Sequence, residues 1–278
     1  MGDAMTTAIE QYTFGFNQRW REQRSSYRPG TECIRTVEYD AHEITDDTTA
    51  KTFVETHHYS RTYPAARARI GLYRHGELVG VAVFSHPCSN SVLTNVFPGD
   101  ALNAVELGRF VLLDSVPGNG ETWFLARAFD ILRAKGFLGV VSFSDPLQRR
   151  GHDGRVIHLG HVGTIYQAHN GVYLGRGTAR TLRLLPDGRV FSDRAAQKIR
   201  KAERGWTYAA RQLEAFGASP APAGDVADRT AWLARTLENL TRPVRHRGNH
   251  KYAWALTQPG HRALPLSLPY PKRLDPAN

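Results

Sequence analysis

Two segments of the sequence place side chains capable of proton transfer at the ends of predicted elements. His58 and Tyr59 follow a run with helical spacing, and Asp145 ends an apolar run directly before Pro146. An imidazole can accept a proton or ligate a metal, and a phenol can donate to a developing oxyanion. Structural alternatives exist, because a histidine can cap a helix and Asp-Pro commonly begins a turn. The residue types therefore leave both acid–base chemistry and structural roles open.

A second group of residues could bind a ligand. Arg109 interrupts an apolar strand, where a buried guanidinium needs either an acidic partner such as Glu106 or a ligand. Tyr166 could stack on a planar ligand such as a nucleic-acid base and Gln167 could hydrogen-bond its edge, and core packing is the alternative for the tyrosine.

Metal and disulfide chemistry have little support in the sequence. Cys33 and Cys88 are the two cysteines, too few for a disulfide framework and without zinc-ligand spacing. Reduced thiols predict a cytoplasmic location. No pair among the 12 histidines shows ligand spacing on one element. His58 and Asp145 could hold a metal only if the fold brings them together.

Positive charge is concentrated in the C-terminal half. The 278 residues include 36 Lys and Arg against 26 Asp and Glu, a net charge of +10. Nine basic and three acidic residues lie between Arg176 and Arg204. A dense basic helix is either a solvated face or a surface for phosphates. The residues predicted to contact double-stranded DNA are Arg194, Lys198, Arg200, Lys201, Arg204, Arg245, Arg247 and Lys272.

The candidate residues require a scaffold, and the hydrophobic patterns predict a mixed α/β domain. No run of about 18 apolar residues is present, so no membrane span is expected. The predicted elements are a strand at 33–39, a helix from 45 to about 60, a hairpin of 68–73 and 77–85, a strand at 105–114, a helix at 122–136, a strand at 137–146, a hairpin at 179–192 and helices at 193–205 and 228–240.

The chain is expected to divide into three regions. We expect an N-terminal arm at residues 1–30, a catalytic core at 31–176, and a basic DNA-binding extension at 177–278 packed on the core. The turn PGNGET at 117–122 leads from a strand into a helix N-terminus, where backbone N–H groups can face a phosphate. The turn lacks a P-loop lysine and a full dinucleotide fingerprint, so a purely structural turn is the alternative.

Five short motifs in order resemble the Mom DNA-modification protein family of bacteriophages. The resemblance covers roughly residues 35–275, and the segment LQRRGHDGRVIHL after Asp145 is an insertion relative to the family. The element order is similar to that of the GNAT acyltransferases. The implied fold class is α/β (α+β), a GNAT-like acyltransferase fold with a mixed central sheet and a basic C-terminal extension. The motifs are HHYSRTYP (57–64), ELGRFVLLD (106–114), SFSDP (142–146), GHVGTIYQAHN (160–170) and RGNHKYAW with LPYPKR (247–254, 268–273).

The resemblance implies an enzyme that modifies adenine N6 in DNA by methylcarbamoylation or acylation and so evades host restriction. The implied donor is acetyl-CoA or another acyl-CoA, and a bound iron is also implied. Asp145 would act as base or metal ligand, together with Tyr59, His58 and Tyr166. The implied donor-binding residues are Arg109, Phe110, Val111, Gly118, Asn119, Gly120 and Thr122. The turn PGNGET at 117–122 departs from the more basic Q/R-x-x-G-x-G/A pattern of the GNAT superfamily.

Two other functions are also compatible with the sequence. The chain could be an acyl-CoA-dependent acyltransferase for another acceptor, such as a hypermodified base, a protein or a small amine. It could also be a non-catalytic basic DNA-binding protein.

Overall fold

The computed structural model describes residues 16–272, which divide into two compact units. Unit 1 takes in the chain up to Ser144 together with 163–175 and 250–271. Unit 2 takes in 145–162 and 176–249, with Lys272 at its described end. This division differs from the boundary expected at residue 176. Residues 250–255 pair with the strand Gly139–Ser144 in the central sheet and so join the core.

Unit 1 is built on one seven-stranded sheet. Its strands, in chain order, are β3 (Tyr39–Glu43), β4 (Ala66–Arg74), β5 (Glu77–Ser85), β6 (Ala104–Leu112), β7 (Gly139–Ser144), β10 (Val172–Arg176) and β14 (His250–Ala255). The order across the sheet is β10-β14-β7-β6-β5-β4-β3. β6 and β7 are parallel, whereas β3–β4, β4–β5, β5–β6 and β7–β14 are antiparallel. The predicted α/β class with a mixed central sheet is confirmed.

The parallel pair β6 and β7 separates partway along its length. Its ladder runs from Ala104 opposite Gly139 to Leu107 opposite Ser142, whereas β6 continues beside β5 to Leu112. A bulge interrupts the β5–β6 register at Gly108, where an added Cβ would lie 2.6 Å from the Ser85 hydroxyl oxygen. Within residues 16–272, β6 therefore has no strand partner on its β7 side beyond Leu107, and we call this opening the fork.

Helices cover both faces of this sheet. α1 (Asp47–His57) is capped by the Asp46 carboxylate, which accepts from the Thr49 N–H, and it buries Phe53 and Val54. α3 (Gly120–Ala134) connects β6 to β7 and buries Phe124, Leu125 and Leu132 against the opposite face. Short helices complete the unit: α2 (Ser91–Thr94), α4 (Thr164–Ala168) and α8 (Gln258–Ala263), with 3₁₀ turns at Thr36–Glu38 and Ala101–Asn103.

Residues 16–29, part of the expected N-terminal arm, form a hairpin of β1 (Phe16–Arg21) and β2 (Arg24–Pro29). Trp20 is buried against the α1 side of the core. Arg19 is fully buried, forms an ion pair with Glu121 and donates to the Val116 carbonyl. Residues 1–15 of the expected arm lie outside the described part of the chain.

Unit 2 combines small sheets with three helices. Its strands are β8 (Arg149–Arg150), β9 (Val156–His158), β11 (Arg180–Leu184), β12 (Val190–Phe191) and β13 (Arg242–His246), and its helices are α5 (Asp193–Lys201), α6 (Trp206–Glu214) and α7 (Val226–Leu240). β11 lies between β12 and β13. The three helices bury a separate cluster that includes Ile199, Leu213, Trp232 and Leu233. Across residues 16–272, every helix is too short or too polar to cross a bilayer.

Candidate functional site

The fork brings a carboxylate and a guanidinium to the same face of β6. Leu107 and Phe110 both pack on the α3 side, because the bulge at Gly108 changes the alternation of side chains. Glu106 and Arg109 consequently share the other face. Arg109 Nε donates to the Thr62 carbonyl at 2.9 Å, and a second guanidinium nitrogen donates to the Thr62 hydroxyl. The arginine is thus fixed by the segment that follows α1.

Glu106 lacks a close partner among the residues that the structure describes. Within residues 16–272 its carboxylate has no hydrogen bond and no ion pair within 4.0 Å. Burial raises the pKa of Glu106 to about 7, and the charges of Arg109 and Lys251 act in the opposite direction. Lys251 lies on β14, where its Nζ donates to the Val92 carbonyl at 3.2 Å. Glu106 was predicted only as a possible partner for Arg109, and no role was predicted for Ser142.

His58 and Tyr59 lie where α1 ends. His58 caps the helix through its backbone N–H, which donates to the Val54 carbonyl, and its ring is buried. Its Nδ1 accepts from the Ser60 N–H at 3.1 Å. The ring centroid lies 4.2 Å from that of Tyr59, which in turn lies 5.0 Å from that of Trp20. The pair is held rigidly on the face that also carries Arg109, and Tyr59 acts electrostatically on that guanidinium.

Tyr166 is buried and hydrogen-bonded to Ser142, which with Leu107 forms the last pair of the β6–β7 ladder. Burial raises its pKa to about 12, partly offset by a hydrogen bond with Ser142, so the phenol stays protonated. Ser142 also donates to the Leu107 carbonyl at 3.1 Å. Gln167 donates to the Tyr252 hydroxyl at 3.1 Å and to the Pro271 carbonyl. This places Gln167 in contacts within unit 1.

The glycine turn expected to hold phosphate is contacted by the chain's own N-terminal segment. The Gly118 N–H donates to the Glu32 carboxylate at 2.9 Å, and the Asn119 side chain accepts from the Ile34 N–H at 2.7 Å. A Cβ on Gly118 would lie 1.9 Å from the Pro29 carbonyl oxygen. Gly118 is therefore required by this close approach. Gly120 begins α3, and the Thr122 hydroxyl donates to the Asn119 carbonyl.

Asp145 belongs to unit 2, where its carboxylate is fully engaged. It accepts from His246 Nε2 at 2.9 Å and from the Leu147 N–H at 3.0 Å, and it pairs with Arg149 at 3.2 Å. His246 Nδ1 accepts from the Gly248 N–H, which leaves the ring proton on Nε2. Burial works to raise the pKa of Asp145, but the His246 hydrogen bond and the Arg149 charge hold it well below its usual range.

The described residues do not fit a resident iron. Within residues 16–272 no three His, Cys, Asp or Glu side chains converge as metal ligands. The two expected ligands belong to different units, with His58 in unit 1 and Asp145 in unit 2. Asp145 is already bound by a histidine and an arginine.

Unit 2 carries the predicted basic surface. α5 buries Ala195, Ala196 and Ile199 and turns its charged residues outward. Arg194 is paired with Glu203 at 2.6 Å, so part of its charge is neutralised. On β13, Val244 and His246 point inward, whereas Arg245 is exposed. The exposed members of the predicted set also include Arg200, Lys201, Arg204, Arg247 and Lys272, and Lys198 is partly buried.

A groove in unit 2 lies beside the basic helix α5 and beside β11, the strand that pairs with the basic strand β13. It has a volume of about 650 Å³ and lies between β11, α5 and α7, with Arg183 and Arg200 on its walls. Thr181, another lining residue, is the register partner of Arg245 in the β11–β13 ladder. Asp193 and Glu238 also line the groove, so it carries charges of both signs.

A search of curated proteins gave no match. Among solved structures, an N-acetyltransferase from Staphylococcus aureus Mu50 aligns with 68% of each chain at 11% identity and a TM-score of 0.28. A tandem GNAT protein from the clavulanic acid biosynthesis pathway, without AcCoA, aligns with 79% of this chain and 99% of that chain at 10% identity and a TM-score of 0.40.

Both TM-scores are below 0.5. The α/β class with a mixed central sheet is therefore assigned from the strand order and the fork described above. The model of the Mom protein family matches residues 41–221, more than half of the chain. The matched range contains the fork, the glycine turn and the helix α5. The chain therefore belongs to the Mom protein family.

Proposed function

We propose that this protein is a GNAT-like transferase that modifies the N6 amine of adenine in double-stranded DNA with a group from an acyl-CoA donor. The observation that carries the proposal is the family match over residues 41–221. The modification would protect the DNA from restriction enzymes of the host.

The fork is the proposed donor site. Beyond Leu107 no strand of the described part of the chain pairs with the β7 side of β6, so its backbone can hydrogen-bond an extended ligand. Arg109, Phe110 and Val111 would hold the acyl-CoA chain, and the turn Gly118–Gly120 with Thr122 would hold its phosphates. The donor supplies an activated carbonyl, and the protein residues orient it and exclude water.

The proposed acceptor is a flipped adenine. Extruding a base costs a few kcal/mol, which contacts to the backbone must supply. The exposed charges of α5 and β13 in unit 2 support this role, because phosphate contacts dominate binding to duplex DNA. Tyr59, His58 and Tyr166 in unit 1 are the proposed residues around the reacting amine, and Asp145 is the proposed essential carboxylate of unit 2.

Mass spectrometry of nucleosides tests the proposal. DNA from cells that express the protein should contain a modified deoxyadenosine, and DNA from cells that express an Arg109→Ala variant should not. Only ordinary nucleosides in the wild-type sample would exclude the proposed reaction.

A second function is favoured by one observation, the contact between Glu32 and Gly118. A carboxylate at the position proposed for phosphate is compatible with a DNA-binding protein that no longer binds acyl-CoA. Calorimetry with CoA and acetyl-CoA separates the two functions, since this alternative predicts no binding of either ligand.

A further inference from the structure

We propose that the groove of unit 2 binds a single nucleotide, which it holds by the phosphate and by an exocyclic amine of the base. The nucleotide is either one unit of a DNA strand that is locally single-stranded or a free nucleotide. The proposal goes beyond the transferase function and does not depend on it, because this site requires no acyl donor. It is carried by four charged side chains that line the groove and have no partner among the described residues.

Arg183 is the central observation. On β11 the side chains of Leu182 and Leu184 pack into a buried cluster on one face of the strand, so the Arg183 side chain projects from the other face into the groove. Its register partners are Pro243 on β13 and Phe191 on β12, and neither can neutralise a guanidinium. Across residues 16–272 the half-buried Arg183 side chain has no hydrogen bond and no ion pair within 4.0 Å. A guanidinium withdrawn from water needs an anion, and a ligand can supply it.

A second guanidinium lines the same space. Arg200 lies in the last turn of α5, and its side chain is also unpaired within the described part of the chain. The hydroxyl of Thr181 is a further donor on the β11 wall. Two guanidinium groups on separate elements and a hydroxyl form a set of donors suited to a phosphate, because charge-assisted hydrogen bonds to phosphate are short and strong.

The acidic side chains of the groove argue against a site for phosphate alone. Glu238 lies in the last turn of α7, where the helix dipole disfavours a negative charge. Asp193 lies in the first turn of α5, where the dipole favours one, so its position has a structural explanation. Neither carboxylate pairs with Arg183 or Arg200, although all four side chains line one groove.

Glu238 is therefore the residue that we assign to the base. A carboxylate accepts hydrogen bonds and donates none, so it selects a base that presents an amino group, such as N4 of cytosine. Thymine has no exocyclic amine and offers only carbonyl oxygens to this position. The groove thus has a partner for each end of a nucleotide, with arginines for the phosphate and a glutamate for the base.

The size of the groove fits one nucleotide. Its volume of about 650 Å³ lies within the range of about 300–1,000 Å³ that is usual for small-molecule sites. The space is open because α5 and α7 present the small side chains of Ala196 and Ala234 to it, and buried Phe191 and Leu237 add apolar surface. A groove of this size is too narrow for a duplex.

Fluorescence anisotropy with labelled tetranucleotides tests the site. The wild-type protein should bind a deoxycytidine tetramer about fivefold or more tightly than a thymidine tetramer, since one correct base contact discriminates by about this factor or more. Glu238→Ala, at an exposed position where folding is unaffected, should reduce that preference to about twofold or less and keep the affinity for thymidine. Arg183→Gln should weaken both tetramers about tenfold, because it removes a charged hydrogen-bond donor, and Arg183→Lys should restore part of the loss.

The matched controls lie on α7 outside the groove. Arg235→Gln and Asp228→Asn change exposed charges of either sign, and each should leave both affinities within about twofold of wild type. A loss in Arg235→Gln equal to that in Arg183→Gln would reduce the effect to net charge and overturn the proposal. Equal binding of the two tetramers by the wild-type protein would also overturn it.

Competition identifies the source of the nucleotide. Deoxycytidine monophosphate that displaces the tetramer at a similar concentration supports a free nucleotide, and displacement by the unlabelled tetramer alone supports a DNA strand. Inorganic phosphate that competes as well as deoxycytidine monophosphate would overturn the proposal, because the base would then contribute nothing. Since no acyl-CoA is present, a protein that binds as predicted and leaves DNA unmodified would refute the transferase function and retain this site.

Discussion

The Glu32 carboxylate accepts a hydrogen bond from the Gly118 N–H at 2.9 Å, at the turn that leads into α3. It also pairs with Arg28, four residues earlier. An anionic side chain thus accepts from a backbone N–H group that, in the proposed acyl-CoA site, would bind a phosphate. Phosphate and carboxylate compete for the same kind of position, a helix N-terminus rich in N–H groups.

Removing Glu32 should strengthen CoA binding. Glu32→Ala removes a competing acceptor and a negative charge, and we expect a roughly 3- to 10-fold lower Kd, equivalent to about 0.7–1.4 kcal/mol. Calorimetry with CoA measures the change. Glu22→Ala, an exposed residue of the β1–β2 turn, is the control and should bind as wild type. Weaker binding by Glu32→Ala would show that the carboxylate supports the site.

Asp145→Ala should destabilise the protein. The substitution leaves buried His246 and Arg149 without their carboxylate, and breaking such a buried network costs about 3–5 kcal/mol. Asp145→Asn keeps an acceptor for His246 Nε2 and should cost less. Urea denaturation measures both, with the exposed Asp153→Ala expected within about 1 kcal/mol of wild type.

The same variants separate positioning from chemistry at Asp145. A folded Asp145→Asn protein that retains most of its transfer rate supports positioning. A folded protein that loses the rate completely, with DNA affinity unchanged, would show that the negative charge itself takes part in the reaction.

His158 should make stability sensitive to mild acid. Burial is the main cause that lowers its pKa to about 3, whereas an unfolded histidine has a pKa of about 6.5. The unfolded chain therefore binds the proton first, so stability is fully present above about pH 6.5 and falls as the pH is lowered toward 3. One such histidine contributes a slope of up to about 1.4 kcal/mol per pH unit.

Urea unfolding at several pH values between 4.5 and 7 measures this slope. His158→Gln should reduce the slope even if it lowers stability at every pH, and the exposed His75→Gln should not change it. Asp145 does not contribute to the slope in this pH range, because its pKa is depressed and the stability that it provides is lost only below about pH 4. An unchanged slope in His158→Gln would contradict the prediction.

Removing positive charges from α5 should weaken DNA binding and reduce its dependence on salt. Arg200→Gln with Lys201→Gln removes two exposed charges, and each phosphate contact contributes about 0.9 to the slope of log K against log salt. We expect the slope to fall by about 2. Fluorescence anisotropy with a duplex at several salt concentrations measures it. Arg262→Gln, an exposed arginine of α8 in unit 1, is the control, and an equal loss there would indicate only a net-charge effect.

Much of the sheet could be predicted from local patterns. The hairpin predicted at 68–73 and 77–85 is observed as β4 and β5, and the basic helix begins at Asp193 as expected. Turn residues and alternating apolar runs determine these elements within a few residues of sequence. The predicted strand at 33–39 was placed too early, since the strand there is Tyr39–Glu43.

Long-range contacts could not be predicted in this way. Arg19 and Glu121 are 102 residues apart, and a polar N-terminal segment gives no local sign that its arginine is buried. Glu106 was visible in the sequence as a charge in an apolar strand. The surroundings of its carboxylate depend on the bulge at Gly108 and on where β7 leaves β6, and neither feature is encoded in local periodicity.

The Gly177 N–H donates to the Asn249 carbonyl at 2.8 Å. The excursion, by which we mean the segment from Gly177 to Asn249, therefore has its two ends in direct contact. Gly248 permits this closure, because a Cβ there would lie 2.0 Å from the Gly177 carbonyl oxygen. β10 and β14, which flank the excursion, are neighbours in the central sheet. The entropy of closing a loop grows only with the logarithm of its length. The intervening stretch can thus be lengthened, shortened or exchanged during evolution at little cost to the sheet that carries the fork.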